Sequence, residues 1–251
     1  MIRSLHRRKG REAERAYLAE GERLLDELAA DSGALRFLFC HADRLEWLLS
    51  RFPGAECCVM ESADSGLFGT ENAQGVGAVV TMPEPVSARA IADAGGPLLY
   101  LDRIADPGNL GTIIRTAEWF GLRGLLLGAG CADPFNPKVV RSTMGAIFRL
   151  PIADRVPLET VLELGRPLVA LDAGGGDTLG SAPLPRNALY VVGSEAHGVD
   201  AALAERGRRL AIAGGERGES LNAAVAAAIL LYELRRGGTI EPPSARRTDR
   251  A

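Results

Sequence analysis

The chain has 251 residues, 47% of them hydrophobic and 24% charged, with a formal net charge of −3. These are the proportions of a globular protein with room for two domains and a buried core. No stretch approaches the ~18 apolar residues needed to cross a bilayer, and no apolar run follows the basic N-terminal cluster. Neither a membrane span nor a secretory signal is expected, and the cytoplasm is the expected location.

An acidic balance argues against a nucleic-acid partner, but the charge is unevenly spread. Arg3, Arg7, Arg8, Lys9, Arg11 and Arg15 crowd the start, and Arg235, Arg236, Arg246, Arg247 and Arg250 the end. Lys9 and Lys138 are the only lysines; arginine's planar fork suits bidentate phosphate contacts. Solvated tails would carry the same residues. Cys40, Cys57, Cys58 and Cys131 fit no common zinc spacing and read as reduced, mostly buried thiols. His6, His41 and His197 are scattered, so no metal site is expected.

In chain order, residues 11–29 place Leu18, Leu25 and Leu28 at helical spacing, with Ala16 and Leu24 beside them, predicting one helix. Strands are predicted at 35–40, 57–60 and 75–82, with a helix at 42–52 ended by Pro53 and Gly54. This small α/β unit has a natural boundary at Pro83-Glu84-Pro85. From residue 98 the alternation is regular. Apolar strands are predicted at 97–104, 123–129, 166–173, 188–195 and 208–214. Helices are predicted at 109–121, at 136–149 with Asn136 as N-cap, and at 220–236. Continuous apolar strands alternating with helices predict a parallel sheet covered on both faces.

Ligands of such sheets bind at the carboxyl ends of strands, and three junctions stand out there. In 102–117, Pro107-Gly108 makes a turn, Asn109 is placed to cap the helix, and Thr112, Arg115 and Trp119 form a stripe apart from the apolar face Ile113, Ala117 and Phe120. On this segment alone Arg115 reads first as a surface residue paired with Glu118, and otherwise as a phosphate or hydroxyl ligand. In 191–200 an apolar strand runs into Gly193-Ser194-Glu195, with Gly198 beyond; a tight strand-to-helix turn would look the same. In 217–233, Gly218 leads into Ser220 and Asn222, which can bond exposed amides at a helix start. Leu221, Val225, Ala228 and Tyr232 mark one face of that helix; Ala223, Ala224, Ala226 and Ala227 leave the others smooth enough for a second helix to pack close. A dinucleotide fingerprint is excluded because Asp133 stands where GAGCAD needs its third glycine, which leaves a nicotinamide oxidoreductase remote.

These three segments resemble, in order, the three motifs of the SpoU (TrmH) branch of SPOUT RNA 2′-O-methyltransferases. The matches are Asn109, Gly111, Arg115, Thr116 and Ala117; then Gly193, Glu195 and Gly198; then Ser220, Leu221 and Asn222. Residues 135–152 also look like the family's inter-motif segment, and the similarity covers about 98–236. The resemblance implies a methyltransferase domain over 96–240 with a C-terminal deep trefoil knot, dimeric through its final helix. Residues 1–85 look like the L30e-like substrate-binding domain found ahead of such enzymes, and 241–251 are left as a disordered tail. The implied cofactor is S-adenosylmethionine, held around Leu171, Asp172, Val192, Gly193, Gly198, Ile212, Ser220, Leu221 and Asn222. Arg115 becomes the catalytic residue, with Asn109, Glu195 and Asn222 shaping the site. Arg7, Arg8, Lys9, Arg11, Arg115, Lys138 and Arg141 are expected to contact RNA. The substrate implied is ribosomal RNA of the large subunit; the alternatives are tRNA and a non-catalytic RNA-binding protein. Where the family often has a second serine in its third motif, this chain has Ala224.

Overall fold

The computed structural model describes residues 1–29, 32–61, 68, 74–214 and 220–241. The predictions that touched Gly218 and the tail beyond Glu241 lie outside the described residues. The chain divides into two compact units: Met1–Glu84 with Asp133–Arg149, and Pro85–Ala132 with Leu150–Ala251.

The elements run α1 (Ile2–Leu5), α2 (Arg8–Glu14), β1 (Ala16–Glu20), α3 (Glu22–Ala29), β2 (Leu35–His41), α4 (Leu45–Arg51), β3 (Cys57–Met60) and β4 (Val76–Thr81), followed by α5 (Ala88–Asp93), β5 (Leu98–Asp102), α6 (Pro107–Phe120) and β6 (Leu125–Gly128). Next come α7 (Pro137–Thr143), β7 (Ile152–Val156), α8 (Leu158–Glu163), β8 (Leu168–Leu171), β9 (Asp177–Thr178), β10 (Leu189–Gly193), α9 (Ala201–Ala204), β11 (Arg208–Ala211) and α10 (Ala223–Arg236).

The first unit is built on a four-stranded sheet ordered β1-β4-β2-β3. Pairs β1/β4 and β2/β4 are antiparallel, and β2/β3 is parallel. The helix predicted over 11–29 is here a helix, a strand and a second helix. Arg15 takes a left-handed φ of 49° and stops α2, and Gly21 at φ 103° turns the chain out of β1. All five residues of β1 are buried, because helices pack along it while it pairs with β4. A strand covered on both faces is a contiguous apolar run, and four such residues satisfy a helical pattern as well as an extended one. Gly77 of β4 must be glycine: a Cβ there would stand 2.3 Å from Phe39 Cζ, and that ring is part of the core with Leu18, Phe68 and Val79.

Residues 133–149, expected within the second domain, belong to this unit. Arg11 pairs with Asp133, Arg141 with Glu20 at 2.7 Å and Arg149 with Glu27 at 2.7 Å, and the Tyr17 and Phe135 rings lie 4.9 Å apart. Asn136 caps α7 as expected, accepting from Lys138 N at 2.9 Å. The helix ends at Thr143 rather than at 149, because Met144 and Gly145 take φ of 50° and 95°. The four thiols are free; burial, and then the Cys57 sulfur 3.6 Å away, pushes the Cys40 thiol up to about 12. The expectation of mostly buried thiols holds only at Cys40: Cys57 and Cys131 are half-buried, and Cys58 is exposed on β3, the edge strand of the sheet.

The second unit holds a seven-stranded sheet ordered β7-β6-β5-β10-β8-β11-β9, every neighbouring pair parallel. On one face, Leu98 and Tyr100 of β5 and Leu189 and Val191 of β10 pack with Ile91 of α5, Val161 of α8 and Leu203 of α9. The alternate residues Leu99, Leu101, Tyr190 and Val192 are equally buried on the other face, where α10 packs on β10 and on α6. The prediction of a parallel sheet layered between helices holds.

Candidate cofactor and catalytic site

Parallel register brings the carboxyl ends of four strands together. Gly193 is the partner of Asp102, Val192 of Leu171, and Leu171 of Leu210. Five of the residues expected to hold a ligand (Leu171, Asp172, Val192, Gly193 and Ile212) therefore sit at or just beyond one edge of the sheet. The backbone here is closely laid: a Cβ on Gly193 would meet Gly198 O at 2.1 Å, and one on Gly175 would meet the Leu210 carbonyl carbon at 2.8 Å. Asp172 accepts from Gly174 N at 3.0 Å and lies 3.4 Å from Arg209.

The three motif segments meet on one carboxylate oxygen. Glu195 Oε1 accepts from Asn109 Nδ2 at 2.7 Å, from Asn222 Nδ2 at 3.3 Å and from the Ala223 backbone N–H at 3.0 Å. Asn222 Nδ2 also donates to Asn109 Oδ1 at 3.0 Å. The other end of Asn222 caps α10, its Oδ1 accepting from Ala224 N and Val225 N at 3.0 and 3.2 Å. A single residue thus caps a helix and ties it to the loop after β10. Ser220 and Leu221 lie before the helix and are exposed, where the sequence pattern put them inside it.

Asn109 does not cap α6. Asp106 does, accepting Asn109 N at 2.8 Å, with Pro107 at the first helical position. The Asp-Pro pair is a helix-start signal in its own right, and the correction has a consequence. With its backbone N–H already satisfied, Asn109 directs its amide to Glu195. Thr112, Arg115 and Trp119 form the exposed stripe expected of them, Trp119 being 78% exposed. Among the described residues Arg115 has no side-chain partner, so the pair with Glu118 does not form and its guanidinium is open to a ligand.

Sequence reasoning passed over Asp102 and Arg103. Asp102 is buried at the end of β5, its Oδ2 accepting from Asp200 N at 2.8 Å and pairing with Arg103 at 2.9 Å. An aspartate ending an apolar strand was the available signal. Below it, burial pushes the Tyr100 hydroxyl up to about 12.

The expected RNA contacts divide. Arg7, Lys9 and Lys138 are exposed, and Arg8 pairs with Glu12 across one helical turn at 3.0 Å. Arg11 leaves the set: it is 2% exposed, pairs with Asp133 and donates to Leu5 O at 2.8 Å, so it is a structural pin. Arg141 is three-quarters covered and committed to Glu20. No group of His, Cys, Asp and Glu among the described residues could hold a metal ion, and no described helix is long and apolar enough to cross a membrane.

Residues 96–232 match the SpoU rRNA Methylase family. Among curated relatives, the chain is 36% identical over 243 residues to the 23S rRNA (guanosine(2553)-2′-O)-methyltransferase RlmP of Bacillus subtilis, covering 93% of this chain and 94% of that one. Among solved structures, the AdoMet-bound rRNA methyltransferase of Sinorhizobium meliloti aligns at a TM-score of 0.78 and 31% identity, over 94% of this chain and 92% of that one. The SpoU methyltransferase AviRb of Streptomyces viridochromogenes, solved with the cofactor AdoMet, aligns at 0.80 and 29% identity, over 94% and 95%.

Proposed function

Since this chain belongs to the SpoU rRNA methylase family, we propose that it transfers a methyl group from S-adenosylmethionine to a ribose 2′-hydroxyl of 23S rRNA, in the cytoplasm and as a homodimer. It is an S-adenosylmethionine-dependent RNA methyltransferase. The observation that carries the assignment of the site is the convergence of Asn109, Asn222 and the Ala223 amide on Glu195, which gathers three segments far apart in sequence at the carboxyl edge of the sheet.

The residues at that edge suit the cofactor. Leu171 and Ile212, half-buried at that edge, offer apolar contact to an adenine ring, and the peptide at Gly198, with open space where a Cβ would stand, admits a ligand against the backbone. Val192 is buried and Gly193 is covered by the Gly198 carbonyl, so these two contribute the backbone that shapes the loop. When bound, S-adenosylmethionine supplies an electrophilic sulfonium methyl. A ribose hydroxyl is a weak acid and must lose its proton as it attacks. The Arg115 guanidinium favours the developing alkoxide by its charge, and with no side-chain partner among the described residues it is available for that. The Glu195 cluster holds the loop in place, so the reacting groups are aligned beforehand.

Several further readings rest on this one. The chain runs from β8 out to β9 and on to β10, then returns to lay β11 between β8 and β9; that order supports a trefoil knot. The four-stranded first unit, in a chain that the rRNA-modifying relative matches over 93% of its length, supports an L30e-like substrate domain and rRNA over tRNA. Arg7, Arg8, Lys9 and Lys138 remain as its candidate phosphate contacts. A dimer is supported by Trp119, Leu221, Val225 and Tyr232, large apolar side chains left exposed on α6 and about α10. The smooth alanine face assigned to a partner helix is instead buried within the unit, with Ala223, Ala224 and Ala227 at 5% exposure or less. Ala224 therefore takes the place of a buried hydroxyl, which leaves the open side of the site untouched.

Incubation with methyl-labelled S-adenosylmethionine and total RNA, followed by fractionation by size, tests the proposal. Label in the large ribosomal RNA is expected. Label in tRNA alone would replace the substrate, and label nowhere, with no cofactor binding by calorimetry, would leave a non-catalytic RNA-binding protein.

A further inference from the structure

The loop between β10 and α9 carries Glu195 and Gly198, and it is held from two sides. The first hold is the Glu195 cluster. The second lies on the opposite flank and involves no residue assigned above to catalysis or cofactor binding, apart from the loop itself. Asp102 is the register partner of Gly193, where the loop starts, and its Oδ2 accepts the backbone N–H of Asp200 at 2.8 Å, where the loop ends. One residue therefore meets both ends, its backbone beside Gly193 in the sheet and its buried carboxylate on the Asp200 N–H. Asp200 goes on to cap α9, accepting Ala202 N at 2.9 Å.

Arg103 completes the arrangement. Its Nη2 pairs with the same Asp102 oxygen at 2.9 Å and reaches Gly198 O at 3.5 Å. That carbonyl is the atom lying over Gly193, where it excludes any Cβ. Inside the loop, Gly198 at φ 63° donates to Ser194 O at 2.8 Å. Arg103 itself holds a left-handed φ of 57°, a conformation that costs energy for a side chain of this size and persists only where surrounding contacts impose it. Its flank lies against Gly130, whose added Cβ would meet Arg103 Cγ at 3.2 Å.

We propose that Asp102 and Arg103 form a clasp that sets the conformation of residues 193–200, and that they act as positioning residues for cofactor binding. The inference rests on the cofactor reading given above. The clasp acts through the loop and touches no reacting atom. Its loss weakens cofactor binding while leaving turnover at saturation nearly intact, whereas damage to a catalytic group would do the reverse.

The test compares Asp102→Asn, Asp102→Ala, Arg103→Ala and Arg103→Lys in the full-length chain. Asparagine keeps an acceptor for the Asp200 N–H and loses the charge that holds Arg103; alanine loses both. Hydrogen exchange of the cofactor-free protein is read at the Gly198 and Asp200 amides, and KM for S-adenosylmethionine and kcat are measured on RNA. Exchange at these amides is expected to rise in the order wild type, Asp102→Asn, Asp102→Ala. KM should rise about tenfold in Asp102→Asn, the scale of one charge-assisted hydrogen bond, with kcat within about threefold. Arg103→Lys should recover part of what Arg103→Ala loses. Unchanged exchange at both amides in Asp102→Asn and Arg103→Ala overturns the clasp, as does a fall in kcat at constant KM. Failure of the wild type to bind S-adenosylmethionine would count against the cofactor reading instead, with the exchange data still deciding whether the clasp exists.

Discussion

Substituting Glu195 by alanine removes the acceptor shared by Asn109 Nδ2, Asn222 Nδ2 and the Ala223 N–H. A hydrogen bond to a charged group contributes about 1.5–3 kcal/mol where water is excluded. Glu195 is exposed, so solvent screens the three bonds and their joint contribution falls to about 2 kcal/mol. Most of that orders the loop rather than the core, because the loop lies outside the sheet. Calorimetric titration with S-adenosylmethionine should therefore show Kd raised about 30-fold, the factor equivalent to 2 kcal/mol. Global stability should fall by less than about 1 kcal/mol. Glu195→Gln leaves an oxygen in the same place without its charge, and about a fivefold loss is expected. Equal affinity in wild type and Glu195→Ala would refute the reasoning, as would a glutamine variant no better than alanine.

Arg115→Ala should leave cofactor Kd and Tm near wild type, since this side chain has no partner to lose among the described residues, while kcat falls about 10²–10³-fold; equal losses of binding and turnover would make Arg115 structural. Arg7→Ala with Lys9→Ala should lower the slope of log affinity for RNA against log salt by roughly 1–2, at about 0.7–0.9 per phosphate contact. Arg11→Ala should instead leave that slope alone and destabilise the fold by about 3–5 kcal/mol, because it strands Asp133 in the first unit. Tyr232→Glu, at a half-exposed site on α10 beside Phe120, should shift light-scattering mass toward the monomer by burying a charge in the proposed interface; an unchanged dimer would place the interface elsewhere.

The central strands of the second unit were legible in the sequence because they are buried on both faces. Such strands appear as LLYLD, LLLG, LVAL and LYVVG, short apolar blocks that need no distant information to recognise. The half-exposed β7, the exposed β9 and the short helices α5, α8 and α9 carry no such apolar block and were not predicted. The motif residues at their carboxyl ends were equally legible, since Gly193, Glu195 and Asn222 lie beside a strand end or a helix start. What was misread locally has local causes. AYLAE satisfies a helical pattern as readily as an extended one, and Asp106 was overlooked as a cap in favour of Asn109. Neither error propagated to the site.

By itself, then, the sequence determined the parallel sheet, the order of its ligand-bearing junctions and the residue types gathered there. Only the tertiary structure decided which arginines are available. Arg11 and Arg7 stand in one basic cluster, yet Asp133, 122 residues away, buries one and leaves the other in water. It also decided that the alanines of α10 face inward and Tyr232 outward, because α6 already occupies the smooth side. A helical pattern specifies faces only up to a rotation, and a charge pattern specifies no partner. Both are settled by what the rest of the chain brings alongside, and the convergence of three separated segments on the one oxygen of Glu195 is settled the same way.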